Sequence, residues 1–408
     1  MTWAKRLFKA AGLVAVLGVV AIGALLAYLR VERSTSVELP TPTGPLPVAR
    51  AIYDWRDDAT VDTLAPEPNV KREVLAWVWF PAEAGSTPDD YIPAQMRHAR
   101  GPAAFPFSLI YRDAANVHAH SLRGGRVSSR QSYPVVVMRG GASKAVADYT
   151  TLAEDLASHG YVVVGVDAPY RTGQVVFPDG RVVRRTGQND VEEYSGDEMK
   201  RVATRLLTGW VSDIGFVLDR LAQLNASDST GVFTNRLDLK HVGVFGHSFG
   251  GAQAAQFCHD DARCTAAIDI DGRPFGTVVR ESMSKPLMFL MTGQGDFSAA
   301  HAATVDPEIR DIVTDIFSIY DRLPRETRRL ITIRGANHFT FSDDGAVLSS
   351  DLLRGALHVA GLLEMDGRRQ LGATAYCVRS FFDTHLKGAA SRLTLPSTAY
   401  PELKGFEE

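Results

Sequence analysis

Gly246-His247-Ser248-Phe249-Gly250 places a serine between two glycines, with a histidine beside it. A serine hydroxyl attacks a carbonyl at neutral pH only when a base takes its proton and a third group orients that base. With glycine near 7% of residues, the bare Gly-x-Ser-x-Gly string arises by chance in roughly one chain of this length in ten. Its partners therefore decide its meaning. His338, in "ITIRGANHF", is the best base, because it lies a few residues past an apolar run. His247 reads instead as a buttress of the turn, since adjacent residues on a tight bend point apart. Three carboxylates could orient His338: Asp269 and Asp271 in "AAIDIDG", and Asp296 in "TGQGDF". Each ends an apolar run, where a buried carboxylate is costly unless partnered.

The elements around these residues are legible as alternating strands and helices. "VLAWVWFPA" (74–82), "YPVVVMRGG" (133–141), "YVVVGVDAPY" (161–170), "HVGVFGH" (241–247), "CTAAIDID" (264–271), "PLMFLMTG" (286–293) and "RLITIRG" (329–335) read as strands. Continuous apolar runs without alternation are what strands buried on both faces require. "YTTLAEDLASHG" reads as a helix ending at Gly160. This order implies an α/β fold with a mostly parallel sheet covered by helices. Ser248 then falls at a strand-to-helix turn, a sharp and strained place that lifts the hydroxyl above the sheet. Glycines at 246 and 250 remove β-carbons that would collide there, and the Phe249 amide at the helix start can donate to an oxyanion.

Two insertions interrupt the alternation. "QVVFPDGRVV" (174–183) reads as a β-hairpin around a Pro-Asp-Gly turn. Asp197 to Asn225 carries Val202, Leu206, Trp210, Ile214, Val217, Leu218 and Leu221 at helical spacing. The helix is expected to pack on the sheet, with a small cap formed by its N-terminal part and the hairpin as the alternative.

Lys5, Arg6 and Lys9 precede an uncharged run from Ala10 to Leu29, closed by Arg30. Such a run, about 20 residues long, can cross a bilayer and exceeds a usual signal-peptide core. It reads as an uncleaved signal anchor, with residues 1–9 cytoplasmic and the rest exported. That predicts a single-pass protein of the inner or plasma membrane with an extracytoplasmic domain, periplasmic in a Gram-negative cell; a cleaved signal and secretion are the alternative. Residues 30–69 read as a linker and N-terminal extension, 70–390 as the α/β domain and 391–408 as a tail. A formal net charge of −3 gives no electrostatic case for nucleic acid. Cys258 and Cys264 could bridge in an oxidising compartment, leaving Cys377 single; two buried free thiols are the alternative. His118 and His120 have no accompanying ligand set that suggests zinc, and no metal or cofactor is expected.

Taken in order, "VWFPA" with "YIP", "YPVVVMRGG", "DLASHGYVVVGVD", "GHSFGGA", "RCTAAIDIDG" and "ITIRGANHF" resemble the plasma-type platelet-activating factor acetylhydrolases and their bacterial relatives. The resemblance implies the α/β-hydrolase fold, with Ser248 as nucleophile and His338 as base. It places the acid after the strand that follows the nucleophile helix, favouring "DIDG" over Asp296. Aligning on the strand-end turn selects Asp271, whereas counting from Cys264 without a gap selects Asp269. Where the family has His-Gly, this chain has Gly140-Gly141. The Ala142 amide could still complete the oxyanion hole with that of Phe249. The function implied is hydrolysis of carboxylic esters, of short or oxidised acyl chains on phospholipids. A broader carboxylesterase, lipase or polyester hydrolase is the alternative, and a non-catalytic binding domain on this fold is a third.

Overall fold

The computed structural model describes residues 2–83, 87–101, 111–128, 132–281, 283–293, 307–348, 350–361, 363–390 and 393–406. Helix α1 (Thr2–Ser34) lies at the N-terminus, and apolar side chains along it such as Phe8, Leu13, Leu17, Val20 and Ile22 are exposed. Ala11–Ser34 is long and apolar enough to cross a membrane. Strands β1 (Val48–Val61) and β2 (Lys71–Pro81) form an antiparallel pair. Then come β3 (Tyr133–Arg139), α2 (Thr150–Ser158), β4 (Val162–Asp167), the hairpin strands β5 (Gln174–Val176) and β6 (Val182–Arg184), and α3 (Gly196–Ala226). The second half holds β7 (Leu237–His247), α4 (Phe249–Asp260), β8 (Cys264–Ile270), β9 (Leu287–Thr292), α5 (Pro307–Tyr320), β10 (Arg328–Ile333), α6 (Gly367–Lys387) and β11 (Leu403–Gly405).

One sheet runs β11-β10-β9-β8-β7-β3-β4-β2-β1, and two short strands extend it past β1. From β10 to β4 every neighbouring pair is parallel; β2, β1 and β11 are antiparallel additions. The apolar runs explain why these strands are central. Val135 and Val137 enter one core while Val136 and Met138 enter the other, so both faces of β3 need cover. Helices α3, α4 and α5 cover the first face, and α2 and α6 the second.

Two sequence expectations change here. The stretch expected to be linker to residue 69 contains β1, which pairs with β2 in the register Ala51↔Val78. Its outward face is solvated, so it lacks the apolar density that marks a strand buried on both sides. The stretch expected to be a C-terminal tail from 391 contains β11, which lies antiparallel to β10 with Ile331 opposite Gly405. The sheet thus draws on residues 48–405 rather than 70–390. Helix α1 also continues to Ser34, past the uncharged run that ends at Leu29.

The hairpin forms as expected, with Val175 opposite Val183. Helix α3 packs on the sheet along its length, because Val202, Leu206, Trp210, Ile214, Val217, Leu218 and Leu221 all join the first core. Cys258 and Cys264 are bridged, tying the end of α4 to the start of β8, and Cys377 is buried and unbridged.

Candidate active site

Adjacent parallel strands bring their C-terminal ends together, which is where open α/β sheets hold their ligands. Strand β7 ends at His247, and Ser248 turns the chain into α4 with φ 56° and ψ −126°. A non-glycine residue in that region is strained, and its surroundings must hold it there. The Ser248 N–H donates to the Ile270 carbonyl at 2.8 Å, and the Ser248 carbonyl accepts from Gly251 N–H at 2.9 Å. A β-carbon at position 246 would lie 2.2 Å from the Gly250 carbonyl oxygen, and one at 250 would lie 2.6 Å from that of Gly140. Both glycines are required by backbone approaching backbone.

His338 opens a short turn beyond β10. Its Nε2 lies 3.2 Å from Ser248 Oγ, and its Nδ1 lies 2.7 Å from Asp271 Oδ2. The turn is clamped from α6: Asn337 N–H donates to Gln370 Oε1 at 2.9 Å, and Gln370 Nε2 donates to the Asn337 carbonyl at 2.8 Å. Asp271 follows β8 with φ 52°. Its Oδ1 accepts from the Thr292 N–H at 2.7 Å and the Thr292 hydroxyl at 2.9 Å, so the end of β9 holds the carboxylate. Burial alone would raise the Asp271 pKa. The His338 hydrogen bond and charge and the Thr292 amide outweigh it, holding the carboxylate below its usual range.

Asp269 parts from this arrangement. Asp269 is fully buried beneath the serine turn and accepts from Gly272 N–H at 2.9 Å. Its side chain does not reach His338. Burial, with Asp271 adding to it, raises its pKa to about 8. Asp296 lies outside the described residues.

The loop after β3 packs directly on the serine: a β-carbon at Gly141 would lie 3.4 Å from Ser248 Cβ. Phe249 is the first residue of α4, where amides lack helical partners. Ala142 and Phe249 therefore flank the serine from the ends of β3 and β7. His247, 5% exposed, meets Tyr149 Oη at 2.8 Å through Nδ1. His118 and His120 lie elsewhere, bonded to Ser36 Oγ at 2.6 Å and the Leu39 carbonyl at 3.0 Å. Tyr149, Thr292 and Gln370 were not singled out from the sequence. Thr292 alone carried a signal, as a polar residue closing an apolar strand.

A ferulic acid esterase from Streptomyces cinnamoneus superimposes on this structure with a TM-score of 0.73 and 26% identity, covering 91% of this chain and 100% of its own. The fold is that of the α/β-hydrolases, and the protein is a carboxylic ester hydrolase. More particularly, residues 215–387 match the family described as platelet-activating factor acetylhydrolase, isoform II. A probable 1-alkyl-2-acetylglycerophosphocholine esterase from Arthroderma benhamiae is 23% identical over 394 residues, 90% of this chain and 94% of the relative. The platelet-activating factor acetylhydrolase of Cavia porcellus is 23% identical over 291 residues, 65% of this chain and 62% of its own. The resemblance carried by the sequence motifs is thus borne out.

Proposed function

We propose that Ser248, His338 and Asp271 form a catalytic triad that hydrolyses carboxylic esters, with short or oxidised acyl chains of phospholipids as substrate. The observation that carries this reading is the continuous path from Ser248 Oγ through His338 Nε2 and Nδ1 to Asp271 Oδ2, at 3.2 and 2.7 Å. His338 Nε2 takes the serine proton as Oγ attacks the ester carbonyl carbon. The oxyanion that forms accepts from the Phe249 and Ala142 amides. His338 then protonates the leaving alcohol, and the acyl-enzyme is opened by water with the same imidazole as base. Asp271 stays ionised and orients the ring. Losing one oxyanion donor costs about 10²–10³ in turnover.

The phospholipid preference rests on the acetylhydrolase relatives and on α1. Tyr28, near the end of α1, is within 3.3 Å of Ser350, so the helix leaves the body beside the segment that follows His338. An anchor there keeps the site close to lipid. The Cys258–Cys264 bridge supports an oxidising, extracytoplasmic setting for the hydrolase domain. A second reading, a carboxylesterase of broader acyl range, is favoured by the likeness to a ferulic acid esterase over nearly the whole chain.

Treating the full chain with a fluorophosphonate and mapping the adduct tests the nucleophile. Label on Ser248 that vanishes in Ser248→Ala supports the triad, and an unlabelled folded protein overturns it. Turnover of phospholipid esters from acetyl to palmitoyl, set against feruloyl esters, separates the two substrate readings.

A further inference from the structure

Behind the serine, three groups that the triad does not use run into the loop after β3. The Gly141 N–H donates to Tyr149 Oη at 3.1 Å, and Tyr149 Oη lies 2.8 Å from His247 Nδ1. Tyr149 is 1% exposed and His247 is 5% exposed, so water does not complete the chain. Its proton assignment follows from valence. A phenol has one proton and can also accept. With the amide donating to the oxygen, a phenol proton directed at His247 Nδ1 uses both roles of the hydroxyl, and in that arrangement the histidine carries its own proton on Nε2. Burial raises the Tyr149 pKa, so it keeps that proton. Burial, then the neighbouring His338, lowers His247 to about 3, so its ring is neutral.

Two features mark this as more than packing. A polar ring buried this deeply is costly unless its nitrogens are satisfied, and Tyr149 is what satisfies Nδ1. The ring lies with its centroid 4.5 Å from that of His338. The loop it reaches is also held on its other sides. Lys144 N–H donates to the Gly141 carbonyl at 3.2 Å, and Arg185 Nη1 donates to the Ala142 carbonyl at 3.1 Å. These bonds engage both carbonyls and the Gly141 amide and leave the Ala142 amide out of them. Gly140 supplies no side chain of its own to fix the loop.

We infer that Tyr149 and His247 are positioning residues that hold the 140–142 loop so that the Ala142 amide is aimed at the developing oxyanion, an inference that rests on Ser248 being the nucleophile. Neither residue touches the ester. A neutral His247 also adds no second positive charge beside His338 when that ring is protonated.

The test uses the full chain and Tyr149→Phe, which removes only the hydroxyl. A misaimed donor is expected to lower kcat by about 10–100-fold, with KM within about twofold. Affinity for a trifluoromethyl ketone that mimics the tetrahedral adduct should fall by the same factor as kcat. Fluorophosphonate should still label Ser248 to completion. His247→Asn, which keeps an acceptor near Nδ1, should retain most activity, whereas His247→Leu should reproduce the Tyr149→Phe loss. This pair decides the matter if Tyr149→Phe does not fold. Unchanged ketone affinity and kcat in folded, labelled Tyr149→Phe overturn the positioning role alone. A wild-type protein that takes no label at Ser248 overturns the nucleophile, and this inference with it.

Discussion

Asp269 and Asp271 leave β8 two residues apart, yet only Asp271 reaches His338. The strand ends at Ile270, and Asp271 adopts φ 52°, which swings its carboxylate out of the sheet to His338 Nδ1 at 2.7 Å. Asp269 keeps the strand conformation and stays under the serine turn, where a β-carbon on Gly251 would lie 1.9 Å from its Oδ1. One residue of positive φ separates the two positions.

Asp271→Asn should lower kcat about 10⁴-fold, as loss of the orienting carboxylate does in serine triads. Asp269→Asn should stay within about tenfold of wild type, since it keeps the acceptor for Gly272 N–H. Steady-state hydrolysis of a short-chain ester measures both. The reverse ranking would move the acid to Asp269.

Asp269 also predicts a pH signature in stability. Its folded pKa is raised to about 8, above the usual carboxyl value of 3.8. Between those values the folded chain binds the extra proton, so this group makes stability fall as pH rises through the window. Asp269→Asn removes the penalty. Its gain in Tm over wild type should be larger at pH 8 than at pH 4, by thermal unfolding at both. Equal shifts would mean the carboxyl is not carried protonated.

Gln370 clamps the His338 turn from α6 and is fully buried. Gln370→Leu deletes its hydrogen bonds with the Asn337 N–H, the Asn337 carbonyl and the Thr340 hydroxyl, and a buried group left unsatisfied costs about 1–3 kcal/mol. The variant should unfold at lower temperature, and the folded fraction should lose about tenfold in kcat with little change in KM. A stability loss with kcat intact would make Gln370 a folding residue only.

The Cys258–Cys264 bridge closes a short loop far from the serine hydroxyl. Chain-entropy arguments give a bridge of this length about 2 kcal/mol. Replacing both cysteines with serine should lower the unfolding free energy by about that amount in denaturant titration and leave turnover of the folded enzyme unchanged.

Local pattern sufficed for much of this protein. Continuous apolar runs marked the central strands, because a strand covered on both faces has no polar alternation to hide it. The glycines around Ser248 marked the turn, because backbone crowding there excludes a β-carbon whatever the rest of the fold does. His338 was legible from its place after the last parallel strand. Strands β1 and β11 were not, since an edge strand with one solvated face resembles a linker. Nor could spacing choose between Asp269 and Asp271: the contact with His338 comes to Asp271 through a single residue of positive φ and through Thr292, 21 residues away. Tyr149 meets its partner His247 from 98 positions off, and Gln370 meets Asn337 from 33. Contacts of that kind carry no local signature. They exist only once the sheet has brought the strand ends together.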